Sequence, residues 1–342
     1  MDIFFGFFAK ASPIYPGKWY NSSTIGKFFL LLVFHLGWAL QAQNDLYEER
    51  SGYRLSFYNL ENLFDAQYDS LKRDEAFLPE GGRRWSSWRY REKVQRMGKA
   101  ILSIGGWEPP DLVGLCEVEN QNVLEDLRYS APLQNTAYRS VHFESKDERG
   151  IDVAALYRTD KLELRNSRAI QVTLPDSTDY TRDILVLEMR PVGLKTHFWV
   201  IICHWPSRYG GLKATVPKRK AAARQTAEVV DSLRRRWKNP PLVIMGDFND
   251  YPHNESLRKI LGAQESLEKA QKHPRKLVNL MALLPSEQGS HRYKGEWGYL
   301  DQLIISTSWL EEENIHLLNG QAQVVRHSFL MEEDPKYPGL RP

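Results

Sequence analysis

Seven short apolar runs, at 55–60, 112–118, 151–157, 184–189, 198–203, 242–245 and 300–306, limit how this chain can fold. Each has the length of a strand, and most are apolar on successive residues, as strands covered on both faces must be. Between them lie segments with helical spacing. Trp88–Ile104 places Val94, Met97, Ile101 and Leu102 on one stripe and stops at Gly105-Gly106. Lys218–Trp237 does likewise with Ala222, Val229, Val230 and Leu233, and its Arg234-Arg235-Arg236 falls on the wet face. Such an alternation, without repeats or a low-complexity linker, predicts one layered α/β or α+β domain from about Tyr53 to the end.

At 342 residues with 42% hydrophobic content, the chain can bury one large core. A net charge of +3 generates no field suited to a long polyanion, so composition does not point to nucleic acid. Residues 28–40 form an apolar stretch preceded by Lys27 and followed by Gln41-Ala42-Gln43, the pattern of a secretory signal cleaved after Ala42. A comfortable membrane span needs about 20 residues, so an uncleaved interfacial anchor or a buried helix is the alternative. Residues 1–42 are therefore expected to be a lead and signal, with a weak apolar element at Phe4–Phe8, and the protein to be exported to the periplasm or beyond. The two cysteines, Cys116 and Cys203, sit inside apolar runs and are expected to be buried thiols.

The chemistry lies at the ends of the runs. Val243-Ile244-Met245 leads into Gly246-Asp247-Phe248-Asn249-Asp250, which delivers a carboxylate and an amide side by side at a sheet edge. Three further runs end in Asn59-Leu60-Glu61, in Glu117-Val118-Glu119 and in His204-Trp205-Pro206. Four such endings predict one site at adjacent strand ends. A cation such as Mg²⁺, or Mn²⁺ in its place, wants hard oxygen ligands, and one or two carboxylates suffice to hold it beside a phosphate. Glu117 is the first candidate, because a carboxylate ending a buried strand is costly unless it meets a cation. Asn59 and Glu61 could complete that site, or could simply close their strand with turn hydrogen bonds. His204 would need an orienting carboxylate to move protons, for which Asp152 is the best placed. Arg208, just past Pro206, could seat a phosphate oxygen. Asp301 opens the last buried run and raises the same question of pairing. No Gly-rich phosphate loop, Gly-x-Ser-x-Gly, Cys-x-x-Cys or His-Glu-x-x-His occurs, which leaves nucleotide-fuelled, serine-hydrolase and zinc chemistry without support.

Taken in chain order, Asn59-x-Glu61, Glu117-Val118, His204-x-Pro206, Gly246-Asp247-Phe248-Asn249 and Leu300-Asp301-Gln302 resemble the motifs of the endonuclease/exonuclease/phosphatase superfamily. The resemblance implies a four-layered α/β/β/α sandwich of DNase I-like fold over 50–342, and metal-dependent hydrolysis of a phosphoester. It implies Glu117 as main metal ligand assisted by Asn59 and Glu61, Asp247 and Asn249 orienting water and binding phosphate, and His204 with Asp152 as a dyad. The segment Tyr293–Gly298 is similar to exported bacterial members. The superfamily's closing Ser-Asp-His strand, whose histidine pairs with the Asp matching Asp301, finds no counterpart, so the last strand is expected to be missing. The expected activity is that of a monomeric phosphodiesterase or nuclease. A non-catalytic remnant of the family, or a lipid or inositol phosphatase on the same fold, are the alternatives.

Overall fold

The computed structural model describes residues 4–11 (backbone only), 52–106, 108–311, 315–317 and 321–341. The expected signal segment at 28–42 lies outside the described residues. Every apolar run becomes a strand, and the strands assemble into two seven-stranded sheets. The first contains β1 (Phe4–Ala11), β2 (Tyr53–Leu63), β3 (Leu112–Val118), β4 (Tyr138–His142) and β5 (Asp152–Arg158), with two short strands beyond β1. Its core order is β1-β2-β3-β5-β4; β2 and β3 run parallel and the other pairs antiparallel. The weak apolar element expected at Phe4–Phe8 is thus β1, which lies along β2 on the side away from β3.

The second sheet contains β6 (Leu162–Ile170), β7 (Ile184–Pro191), β8 (Phe198–His204), β9 (Leu242–Asp247) and, after two short strands β10 (Ala263–Gln264) and β11 (Leu277–Asn279), the last long strand. A hairpin, β12 (His291–Tyr293) with β13 (Glu296–Gly298), precedes that strand, β14 (Asp301–Ser306). The order is β10-β11-β14-β9-β8-β7-β6.

The inner faces of the sheets pack on each other through Leu55, Phe57 and Cys116 on one side and Val200, Ile202 and Met245 on the other, all fully buried. Gly114 lets them close, since a Cβ there would lie 2.6 Å from the Met245 sulfur. Helices α1 (Ser87–Ile104) and α2 (Gln121–Arg128) cover the outer face of the first sheet, and α3 (Leu212–Arg236) that of the second. The layers are therefore α/β/β/α, the sandwich expected. Helix α3 begins six residues before Lys218, where the spacing placed its start, and carries Pro217 inside. Proline lacks the N–H that an interior turn uses, so the sequence reads as a start where the chain in fact continues. Cys116 and Cys203 are buried and form no disulfide with each other, and burial pushes Cys203 up to about 12.

Gly246 sits at the junction of β8 and β9. A Cβ there would fall 1.9 Å from the Cys203 carbonyl oxygen, which is backbone and cannot swing aside. Gly246→Ala is expected to lower stability by about 2–3 kcal/mol, read as a shift in the urea midpoint, with overpacking rather than lost chemistry as the cause. A midpoint unchanged within error would show that the strands part there at no cost.

Candidate active site

Three neighbouring strand ends make the floor of a cleft. In the register of the second sheet His204 lies opposite Asp247, and Asp247 opposite Asp301. Residues far apart in sequence stand side by side because β8, β9 and β14 share one edge. The first sheet contributes Asn59, Glu61 and Glu117, where regular pairing breaks. The β2–β3 register passes from Asn59–Cys116 to Leu63–Val118, and the β3–β5 register from Cys116–Val153 to Val118–Asp152. Glu117 is the extra residue of a β-bulge, the device by which a strand re-aims a side chain. Its φ is 60°, and Glu61 (48°), Asn62 (61°) and Asn249 (50°) are left-handed too. Such backbone in non-glycine residues costs on the order of 1 kcal/mol or more each, so the surroundings must hold it in place.

The resulting cleft, about 430 Å³, is lined by Asn59, Glu61, Glu117, Asp247, Asn249 and Asp301 among others. Asp247 accepts from the Asn249 backbone N–H through Oδ1 (2.8 Å) and from Asn59 Nδ2 through Oδ2 (3.4 Å). Asn59 Oδ1 accepts from the Glu61 N–H at 2.8 Å, which closes the turn. His204 Nε2 stands 3.7 Å from Asp247 Oδ2 and 3.9 Å from Glu117 Oε1. Burial pushes Asp247 up to about 6, and the neighbouring Glu117 charge adds to it against the pull of the Asn249 N–H. Burial, reinforced by Arg182 and Arg149, holds His204 well below the usual imidazole range, so it is neutral at pH 7. Two crowded carboxylates, one with raised affinity for a proton, form a site with raised affinity for a cation.

Residues 54–342 match the model of the Endonuclease/Exonuclease/phosphatase family. The chain belongs to this family. No curated protein matches it in sequence. Among solved structures, the human Nocturnin catalytic domain with bound sulfate is 20% identical, over 70% of this chain and 81% of that one, with a TM-score of 0.45. A Bacteroides thetaiotaomicron VPI-5482 mannosyl-6-phosphatase is 17% identical over 74% and 85%, with a TM-score of 0.47. Truncated Caenorhabditis elegans TDP2 is 15% identical over 63% and 77%, with a TM-score of 0.45.

Two of the expected site residues of this family member lie elsewhere in their bonding. Asp152 does not hold His204; its Oδ2 meets His142 Nε2 at 3.2 Å and its Oδ1 accepts from the Ser145 N–H. The reason is the bulge: one residue past Glu117, Asp152 pairs with Val118, and its side chain reaches His142 on the next strand. His142, Glu144 and Asp152 place their ligating atoms within 4.8 Å of one another. Lys72 Nζ, 3.8 Å from Glu144, supplies positive charge there. Arg208 is also committed internally. Its Nε donates to the Asn249 carbonyl (2.7 Å), Nη2 pairs with Asp250 (3.5 Å), and the guanidinium lies over the Tyr251 ring at 4.4 Å. It braces the loop that carries Asn249.

Among the described residues Arg83 is the arginine that lines the cleft, and His291 lines it as well. Neither was singled out from sequence. Arg83 lies in a loop with no periodic signal. His291 opens a hairpin whose Lys294-Gly295 turn, with φ of 52° and 87°, joins Tyr293 to Glu296; an X-Gly pair at two-residue spacing was the available cue. Burial, and then Arg208, lower the His291 pKa, so it too presents a neutral ring.

Beside the cleft, Glu119 accepts from the Asp65 N–H at 2.6 Å, yet burial pushes it up to about 8, with Asp65 and the more distant Asp74 and Asp69 adding to the rise. A carboxyl raised above its unfolded value favours the fold fully below the unfolded pKa and loses that contribution as pH rises through the folded one. Stability is therefore expected to fall as pH rises from about 4.5 to about 8, and Glu119→Gln to flatten the upper part of that limb, between pH 6 and pH 8, by about 2 kcal/mol. Urea midpoints across this range check it; equal slopes for the two proteins would assign the limb to other groups.

Proposed function

We propose that the chain is a Mg²⁺-dependent phosphoester hydrolase, with phosphodiesters as its substrates. The convergence of Asn59, Glu61, Glu117, Asp247, Asn249 and Asp301 on one cleft above His204 carries this reading. The fit to a hard cation rests on the donor set: Glu117 and Asp247 crowd two carboxylates, and Asn59 and Glu61 bring further oxygens. Glu117 would hold the ion, with Asn59 and Glu61 assisting. When bound, it would polarise the phosphoryl oxygens and offset their charge.

The protein's own groups do the rest. Asp247, with its raised proton affinity, sits where it can take a proton from an attacking water. Neutral His204 and His291, and the cation of Arg83, face a phosphate from the floor and the walls. Arg83 alone does not neutralise the carboxylates, so the cleft accepts an anion only together with a metal. The apolar segment at 28–40 supports export, which this reading includes, and the protein would act as a monomer.

A panel of DNA, RNA, sphingomyelin, inositol phosphates and bis(4-nitrophenyl) phosphate, with Mg²⁺ or EDTA, tests the proposal. Turnover that requires the metal and is lost in Asp247→Asn is the expected result. Binding of phosphate esters without turnover of any would instead make the chain a non-catalytic member.

A further inference from the structure

Two cavities flank the cleft, and their linings differ in kind. One, about 340 Å³, is rich in charge, with Arg73, Arg149, Arg182 and Lys218 set among acids. The other, about 650 Å³, is walled by Tyr251, His253, Met281, Leu284, Trp297 and Tyr299, with Glu265 as its one carboxylate, and among the described residues no Lys or Arg lines it. This second cavity grows from the catalytic strand ends. Tyr251 lies two residues after Asn249, Tyr299 lies two before Asp301, and Asp247 and Asp301 are in register on β9 and β14.

Its walls are fixed. Gln302 Nε2 donates both to the Asp250 carbonyl (3.0 Å) and to the Tyr299 carbonyl (2.7 Å), which ties the two catalytic loops together. The Tyr251 ring rests on Gly298, where a Cβ would lie 2.4 Å from its Cε1. Tyr299 donates its hydroxyl to the Pro285 carbonyl at 2.5 Å, so its ring rather than its polar tip is presented. Arg326 lies over Trp297 at 4.1 Å and donates to the Gly289 carbonyl.

A preformed, mostly apolar cavity without a cation cannot compensate the desolvation of a second phosphate. Aromatic and thioether walls instead favour a flat, uncharged group. We propose that this cavity is the subsite for one ester substituent of the substrate, an uncharged, predominantly apolar group of aryl type, while the phosphate sits in the adjoining cleft. The inference rests on the phosphoester reading above and narrows its substrate class.

Calorimetric binding of 2-naphthylmethylphosphonate and of methylphosphonate, with Mg²⁺, tests it, because the two share one anionic head. The naphthyl compound should bind about 30-fold more tightly, the effect of burying one aromatic group. Leu284→Asp, a half-buried rim position, should bring the ratio to within about 3-fold while leaving methylphosphonate affinity unchanged, and Trp297→Ala should do the same. Equal affinities in the unaltered protein overturn the proposal, as does tighter binding of a hexose phosphonate than of the naphthyl compound. Binding is read without turnover, so a protein that hydrolyses no ester yet keeps the ratio retains the subsite and loses the hydrolase reading. One that hydrolyses esters without the ratio does the reverse.

Discussion

Glu117→Gln is expected to lower Mg²⁺-dependent hydrolysis of bis(4-nitrophenyl) phosphate by about 10³-fold, since a metal in such a site supplies several kcal/mol of transition-state stabilisation. The substitution keeps the shape of the side chain and removes one charge. That charge stands 3.9 Å from His204 and helps to raise Asp247 toward about 6, so removing it lets Asp247 ionise at lower pH. Metal-free Glu117→Gln should therefore be at least as stable as the unaltered chain, with a gain of up to about 1 kcal/mol, the pattern of functional sites that hold repulsion in reserve. Two measurements separate the effects: kcat/KM with added Mg²⁺, and the urea midpoint in EDTA. Retained activity would remove Glu117 from the metal site, whereas a collapse of stability would make it a structural residue of the bulge.

Arg219→Met should cost about 3–5 kcal/mol, the largest stability loss expected from any one charged residue here. Arg219 is fully buried on α3, and its Nε lies 2.8 Å from Asp250 Oδ1. Its Nη1 donates to Thr215 Oγ1 at 2.8 Å and to the Ser207 carbonyl at 3.4 Å. One guanidinium thus joins the loop after His204 to the loop after Asp247. Without it Asp250 is left with Ser256 and the outlying Arg208, and part of a buried charge goes uncompensated. Arg219→Met combined with Asp250→Asn should recover a good part of the loss, because breaking a pair costs more than removing it. Hydrolysis should fall in both variants, since displaced positioning alone can cost about 10²-fold. Equal stability of the single and the double variant would show that the pair is not coupled.

Much of the site could be read before any fold was known, for a physical reason. A buried strand that ends in a carboxylate or imidazole must bring that group to a partner, and the edge of a sheet is where partners meet. Glu61, Glu117, His204, Asp247 and Asp301 obey this, and Asn59 and Asn249 stand beside them in the same endings. What escaped depended on register. Whether Asp152 faces His204 or His142 turns on a single inserted residue, and no local pattern encodes the insertion. Arg208 follows a turn that suits a phosphate, yet its fork is filled by the Asn249 carbonyl and Asp250, partners some forty positions away. The strand β6 was missed because it is an edge strand whose outer positions, such as Arg165 and Asn166, face water and dilute the apolar signal.

The bulge at Glu117 also bears on how such a site can change. Upstream of it the ladder is regular from Leu112 to Cys116, in step with both β2 and β5, and carries the core between the sheets. Downstream the pairing resumes one residue out of step, with Val118 against Leu63 and Asp152. A bulge lengthened or shortened at 117 would therefore move the acid against a stationary frame, leaving the packing of Leu115 and Cys116 as it was. A lineage carrying this chain could retune the reach of its cleft one residue at a time without first surviving an unfolded ancestor.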